Sequence, residues 1–167
     1  LILLQLVRTA GASVVVQTDL EESRLKLARS LGADYTVNAR EEDLVETVMR
    51  LTGGYGVDVA IEAVGSPEAI TQAMTITRRG GRLTIFGVSP QDAVWKVKPF
   101  NLYDKELTVT TSYRSPFTFQ RAVKIASSKR VNLKPLISHV FPLDKIEKAF
   151  ETAEERLEGA VKIIIKP

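Results

Sequence analysis

The stretch Val14-Val15-Val16-Gln17-Thr18-Asp19 constrains the fold of this chain more than any other. It is an apolar, β-branched run without polar alternation that stops at an acid, and helical spacing precedes and follows it. Such a run suits a parallel strand covered on both faces by helices. In sheets of that kind ligands bind beyond the carboxyl ends of the strands, so Asp19 is expected to face a site.

The same alternation continues. Leu3, Leu6, Val7 and Ala10 recur at helical spacing before Gly11, which reads as the end of a helix. After the strand at 14–19, helices are expected over 21–31 and 41–51, with strands over 33–37 and 57–64. Ser66 and Pro67 read as the cap and first position of a helix that carries Ala69, Ile70, Ala73 and Met74 towards Gly80-Gly81. A strand follows at 82–86. From Val88 to Tyr103, Pro90 and Pro99 bracket Trp95 in an irregular pattern, read as a loop with at most one edge strand. Leu107 to Tyr113 is a β-branched strand. Alternating strands and helices over this length predict a doubly wound α/β parallel sheet. The rhythm changes after Arg114. Ser115-Pro116 is expected to cap a helix to Ser128, with strands at 136–141 and 160–166 around a helix at 144–157, and a domain boundary is expected near 113.

The 167 residues and their 44% hydrophobic share suffice for a core. Residues 1–56 hold 6 basic and 8 acidic side chains, and the remainder 17 and 12. No basic block with interleaved aromatics emerges, so nucleic acid is not an expected partner. Cysteine is absent, which excludes a disulfide framework and thiolate-bound zinc within these residues and fits a reducing compartment, the cytoplasm being expected. The apolar opening is cut short by Arg8, far below the roughly 20 residues of a membrane span, and no Met or basic residue precedes it. It reads as the interior of a longer protein, with no membrane partner expected.

An acid at the end of the second strand of a dinucleotide-binding fold accepts hydrogen bonds from ribose hydroxyls, roughly 20 residues after a glycine turn. Asp19 fits that position only if the glycine turn and first strand precede Leu1; a plain helix cap is the alternative. Ala63-Val64-Gly65 and Phe86-Gly87-Val88 place small or apolar residues at two further strand ends, where a flat ring could pack, or where glycine simply turns the chain.

The run Val14 to Arg24, Leu31-Gly32-Ala33-Asp34, Gly56-Val57-Asp58 leading to Glu62-Ala63-Val64-Gly65, Gly80-Gly81-Arg82 and Phe86-Gly87 together resemble the medium-chain, zinc-dependent alcohol dehydrogenases. Tyr113-Arg114, the segment Val131 to His139 and Phe141-Pro142-Leu143 resemble its polyol (sorbitol-type) and threonine dehydrogenase branch. The resemblance implies a Rossmann sheet lacking its first strand and glycine turn over 1–113, and the C-terminal part of the catalytic domain over 114–167. It implies NAD-dependent oxidation of a secondary alcohol to a ketone, with zinc as Lewis acid.

By the same resemblance Asp19 holds the adenosine ribose and Arg24 lies beside it. Val64, Gly65, Gly87 and Val88 flank the nicotinamide, and Tyr113 and Arg114 border the nicotinamide and polyol site. An acid at position 19 favours NAD over NADP, because a 2′-phosphate would meet a like charge. The family's zinc ligands belong to sequence upstream of Leu1, so residues 1–167 alone are expected to be inactive. His139, the single histidine, reads as structural, as does Glu62 on its apolar strand. The family also implies a homodimer or homotetramer through the edge strand with Leu107, Val109 and Thr111. Two alternatives stay open: a zinc-independent NADPH quinone or enoyl reductase of the same superfamily, and a non-catalytic nucleotide-binding module.

Overall fold

A computed structural model describes residues 1–113 and 117–167. The chain is an α/β protein whose strands all pair in parallel, and it divides into two compact units: Leu1–Glu42 with Phe117–Pro167, and Asp43–Pro116.

The first unit opens with α1 (Ile2–Thr9), β1 (Val16–Asp19), α2 (Glu22–Ser30) and β2 (Tyr35–Asn38). Leu4 of α1, Val15 and Ala28 of α2 form its core, with Val7 and Leu31 packed around them. Arg8, in the last turn of α1, joins that helix to the start of the sheet. Its guanidinium donates to the carbonyls of Gly32 (2.8 Å), Ala12 (3.0 Å) and Ser13 (2.9 Å), and pairs with the Asp34 carboxylate. Asp34 in turn accepts the Val15 amide at 2.7 Å, which sets the entry to β1. The buried Gln5 side chain accepts from the Asn132 amide at 2.6 Å and donates to its carbonyl at 3.2 Å. The later part of this unit holds α6 (Phe119–Ser127), β6 (Ile137–Pro142), α7 (Ile146–Glu154) and β7 (Lys162–Lys166), with β6 and β7 paired. The expected cap Ser115-Pro116 lies outside the described residues.

The second unit runs α3 (Leu44–Leu51), β3 (Val57–Glu62), α4 (Pro67–Ile76), β4 (Thr77–Ile85), α5 (Pro99–Lys105) and β5 (Thr108–Thr111), with strands in the order β3-β4-β5. Asp43 caps α3 by accepting the Glu46 amide, and Ser66 caps α4 by accepting that of Ala69, with Pro67 in its first turn. These are the satisfied helix ends that such residues supply. The core gathers Ala60, Ile70, Ala73, Met74 and Leu83, with Trp95 and Leu102 packed on it.

Three expectations are corrected. The helix after Ser66 stops at Ile76, and the glycine pair 80–81 lies inside β4. Two side chains explain the early stop: the Thr77 hydroxyl donates to the Ala73 carbonyl at 2.6 Å, and Lys105 Nζ donates to the carbonyls of Met74, Thr75 and Thr77 at 2.7–3.1 Å. They satisfy carbonyls that a helix end leaves open. Second, part of the expected loop at 88–103 is α5, which starts at Pro99 and buries none of its residues fully, so it carries no strong apolar stripe. Third, β1 and β3 are not covered as deeply as their composition suggests: Val14 and Val59 are exposed, and only Val15 beside β1 is buried. Among the described residues each of the two strands has one ladder partner, β2 and β4 respectively.

Among the described residues no helix is long and apolar enough to cross a membrane.

Candidate functional site

Each unit carries one cluster at the carboxyl end of its strands. In the first, β1 ends at Asp19 and the chain turns at once into α2. Asp19 Oδ1 accepts the backbone amides of Leu20 (2.8 Å) and Glu21 (3.1 Å), which fixes the carboxyl across the turn. Its Oδ2 lies 3.9 Å from Arg24 Nη1, and Arg24 Nη2 donates to the Ala160 carbonyl at 2.9 Å. The structure thus brings Asp19 and Arg24 together. One carboxylate oxygen is oriented by the backbone, and the other faces a guanidinium, an arrangement able to accept hydrogen bonds from a hydroxyl pair.

The second cluster is built on backbone. β3 ends at Glu62 and β4 at Ile85, paired with each other in parallel. The Glu62 carbonyl accepts the amides of Phe86 (2.8 Å) and Gly87 (2.9 Å), while its side-chain Oε1 accepts those of Val64 (2.6 Å) and Gly65 (2.7 Å). Four amides from two loops therefore converge on one residue.

The loops interlock at their glycines. Gly65 has φ +86°, and a Cβ placed on it would sit 2.6 Å from the Val88 carbonyl carbon; one on Gly87 would sit 2.7 Å from that of Val64. Only glycine allows this approach. The structure brings Val64, Gly65, Gly87 and Val88 together, with the two valines 76% and 66% exposed. Apolar side chains held out at strand ends offer a surface to a flat ring.

Glu62 is 4% exposed, and its Oε2 is buried without a hydrogen-bond partner among the described residues. Read as merely structural from the sequence, it organises both loops. The signal was an acid inside an apolar strand three residues before a glycine.

Tyr113 lies just beyond β5 and is 71% exposed, while Arg114 lies outside the described residues. His139 sits within β6, its Nδ1 2.9 Å from the Ser138 hydroxyl and its Nε2 3.6 Å from Glu158, with its ring stacked on Phe141. Among the described residues no group of three or more His, Cys, Asp or Glu side chains could hold a metal ion. These residues do not by themselves make a zinc site. Taken separately, Asp19 offers an oriented acceptor of the kind a ribose takes, and the glycine loops an apolar rim of the kind a flat ring takes.

Residues 1–128 match the zinc-binding dehydrogenase family. An alcohol dehydrogenase of Cupriavidus necator is 34% identical over 162 residues, covering 96% of this chain and 44% of its own length. A sorbitol dehydrogenase of Gallus gallus is 37% identical over 158 residues, covering 93% of this chain and 43% of its own. A solved structure from Sinorhizobium meliloti 1021, of a protein assigned as a zinc-binding dehydrogenase and bound to NADP, superposes with a TM-score of 0.89 at 30% identity, over 98% of this chain and 48% of that one. The chain spans a little under half the length of the curated relatives it matches. Its parallel α/β architecture and these matches agree, and the chain belongs to the zinc-type medium-chain alcohol dehydrogenase family.

Proposed function

We propose that this chain is the NAD-binding portion of a zinc-dependent oxidoreductase that oxidises a secondary alcohol, of polyol or hydroxy-amino acid type, to a ketone by hydride transfer. The observation that carries the reading is Asp19 at the end of β1, held by two backbone amides with its second oxygen beside Arg24. Its carboxylate accepts the hydroxyls of the adenosine ribose, with Arg24 alongside. Val64, Gly65, Gly87 and Val88 flank the nicotinamide ring, and Tyr113 and Arg114 border the ring and the alcohol. A nicotinamide bound beside these residues would supply hydride acceptance, and a zinc, for which the described residues provide no site, would supply Lewis-acid polarisation of the alcohol oxygen.

The preference for NAD rests on charge, since a 2′-phosphate would approach the Asp19 carboxylate. The neighbour from Sinorhizobium meliloti is bound to NADP, so the coenzyme needs its own test. Residues 1–113 are assigned to the cofactor domain and 114–167 to the returning part of the catalytic domain. Among the described residues Thr108–Thr111 form an exposed strand paired on one side only, with β4, which suits strand addition between copies. That edge supports the proposed homodimer or homotetramer, placed in the cytoplasm, and light scattering on the intact protein should show the oligomer; a monomer would exclude it.

The deciding experiment titrates intact protein with NADH and NADPH, then assays oxidation of a panel of polyols and threonine before and after zinc removal by chelation. Tight NADH binding with zinc-dependent turnover is expected. Preference for NADPH with zinc-independent reduction of quinones would favour the reductase alternative, and NADH binding without turnover the binding module.

A further inference from the structure

We infer that Glu62 is a positioning residue that holds the nicotinamide end of the site in register, and this rests on the dinucleotide reading above. Its carbonyl and Oε1 together accept four backbone amides, two from each of the loops that follow β3 and β4. Ladder bonding of the two strands accounts for the carbonyl contacts. It does not account for the side chain, which reaches past its own strand end to take the amides of Val64 and Gly65 at 2.6 and 2.7 Å.

Three features point to a role in ligand placement rather than in the fold alone. First, Glu62 spends a buried acid where the neighbouring strand residues Ala60 and Ile61 are apolar, and its Oε2 is buried without a partner among the described residues. A buried acceptor left unpaired lowers stability, and such costs persist where the surrounding site uses the geometry. Second, the two loops cannot move independently, because Gly65 and Gly87 leave no space for a Cβ between them. Releasing the Val64 and Gly65 amides therefore also displaces Gly87 and Val88. Third, what the clamp holds outward is exposed and apolar, the side chains of Val64 and Val88. Glu62 itself, being buried, does not touch a ligand. It acts through the loops.

Full-length protein carrying Glu62→Ala, Glu62→Gln or Glu62→Asp is titrated with NADH and with ADP-ribose, which lacks the nicotinamide. Glu62→Ala should weaken NADH about tenfold or more, because the Val64 and Gly65 amides lose their shared acceptor, and leave ADP-ribose within about twofold. Glu62→Gln keeps an oxygen acceptor at the same reach and should stay within about threefold of wild type for NADH. Should the alanine variant fail to fold, Glu62→Asp tests the same point, because it keeps the acid but withdraws it by one methylene and should lose NADH selectively where glutamine does not. Parallel weakening of NADH and ADP-ribose overturns the positioning role in favour of a general structural one. An unchanged NADH affinity in the alanine variant, or a glutamine variant as weak as the aspartate one, also overturns it. Wild-type protein that binds neither NADH nor ADP-ribose overturns the dinucleotide reading itself, a failure visible before any variant is made, whereas wild type that binds ADP-ribose as tightly as NADH overturns the positioning role alone, because the nicotinamide end then contributes no affinity.

Discussion

Asp19 and Glu62 occupy equivalent places in their strands and do opposite things. Each ends a parallel strand, and each uses one carboxyl oxygen to accept two backbone amides from the following turn. Asp19 is partly open, and its second oxygen looks towards Arg24 at 3.9 Å. Glu62 is buried, and its second oxygen has no hydrogen-bond partner among the described residues. The open carboxylate is available to something outside the chain, whereas the closed one acts only on the chain's own backbone. The contrast teaches that position at a strand end does not assign a role; exposure does, because it decides whether a ligand or the backbone competes for the acceptor.

The largest expected effect breaks the closed side. Gly87→Ala would force a Cβ against the Val64–Gly65 backbone, where no flexible side chain can yield. Overpacking of this kind costs about 3 kcal/mol, so NADH affinity of the intact protein should fall by about 100-fold in a fluorescence titration. A fall of less than about threefold would mean that the loops separate easily and that the contrast with Asp19 is unfounded.

On the open side the change is smaller and of another kind. Asp19→Ala should weaken NAD by about 30-fold, the order of a lost hydrogen bond to a charged group at about 2 kcal/mol, while narrowing the gap between NAD and NADP. Competition titration of both coenzymes checks this. If NADP stays as weak as before, Asp19 is not what rejects the 2′-phosphate.

A third carboxylate, Asp34, sharpens the comparison with the smallest effect. The Arg8 guanidinium, and after it the Val15 amide, hold its carboxyl below the ordinary value of 3.8. A carboxylate whose folded value is depressed contributes stability that is present above its unfolded value and lost as pH falls through the folded one. Wild type should therefore exceed Asp34→Asn in stability by a constant margin above about pH 4, and that margin should shrink as the solution becomes more acidic. Melting curves recorded across that range would show it, and a margin that does not change with pH would show that the Arg8 contact is not ionic in effect. The effect is small because the pair is open to solvent.

Much of the organisation was visible in the residues. The alternation of strands and helices, the caps at Ser66 and Pro67, the acid after Val14–Val16 and the glycines at two strand ends all follow from local pattern. Asp19 was readable because its hydrogen bonds reach residues one and two positions away. Glu62 was not, because half of its partners, Phe86 and Gly87, lie in the loop after the next strand, more than 20 residues along the chain. The end of α4 misled for the same reason. The glycine pair at 80–81 suggested a stop, whereas Lys105, 28 residues beyond Thr77, takes the last carbonyls. α5 left no trace in apolar periodicity because it buries no residue fully.

By itself, then, the sequence determined what depends on neighbours along the chain: which segments are helices or strands, where caps sit, and that a carboxylate closes β1. Tertiary structure decided which backbone amides share an acceptor and which acid stays open. Those depend on parallel pairing of β3 with β4, a contact between segments some 20 residues apart that local propensity does not encode.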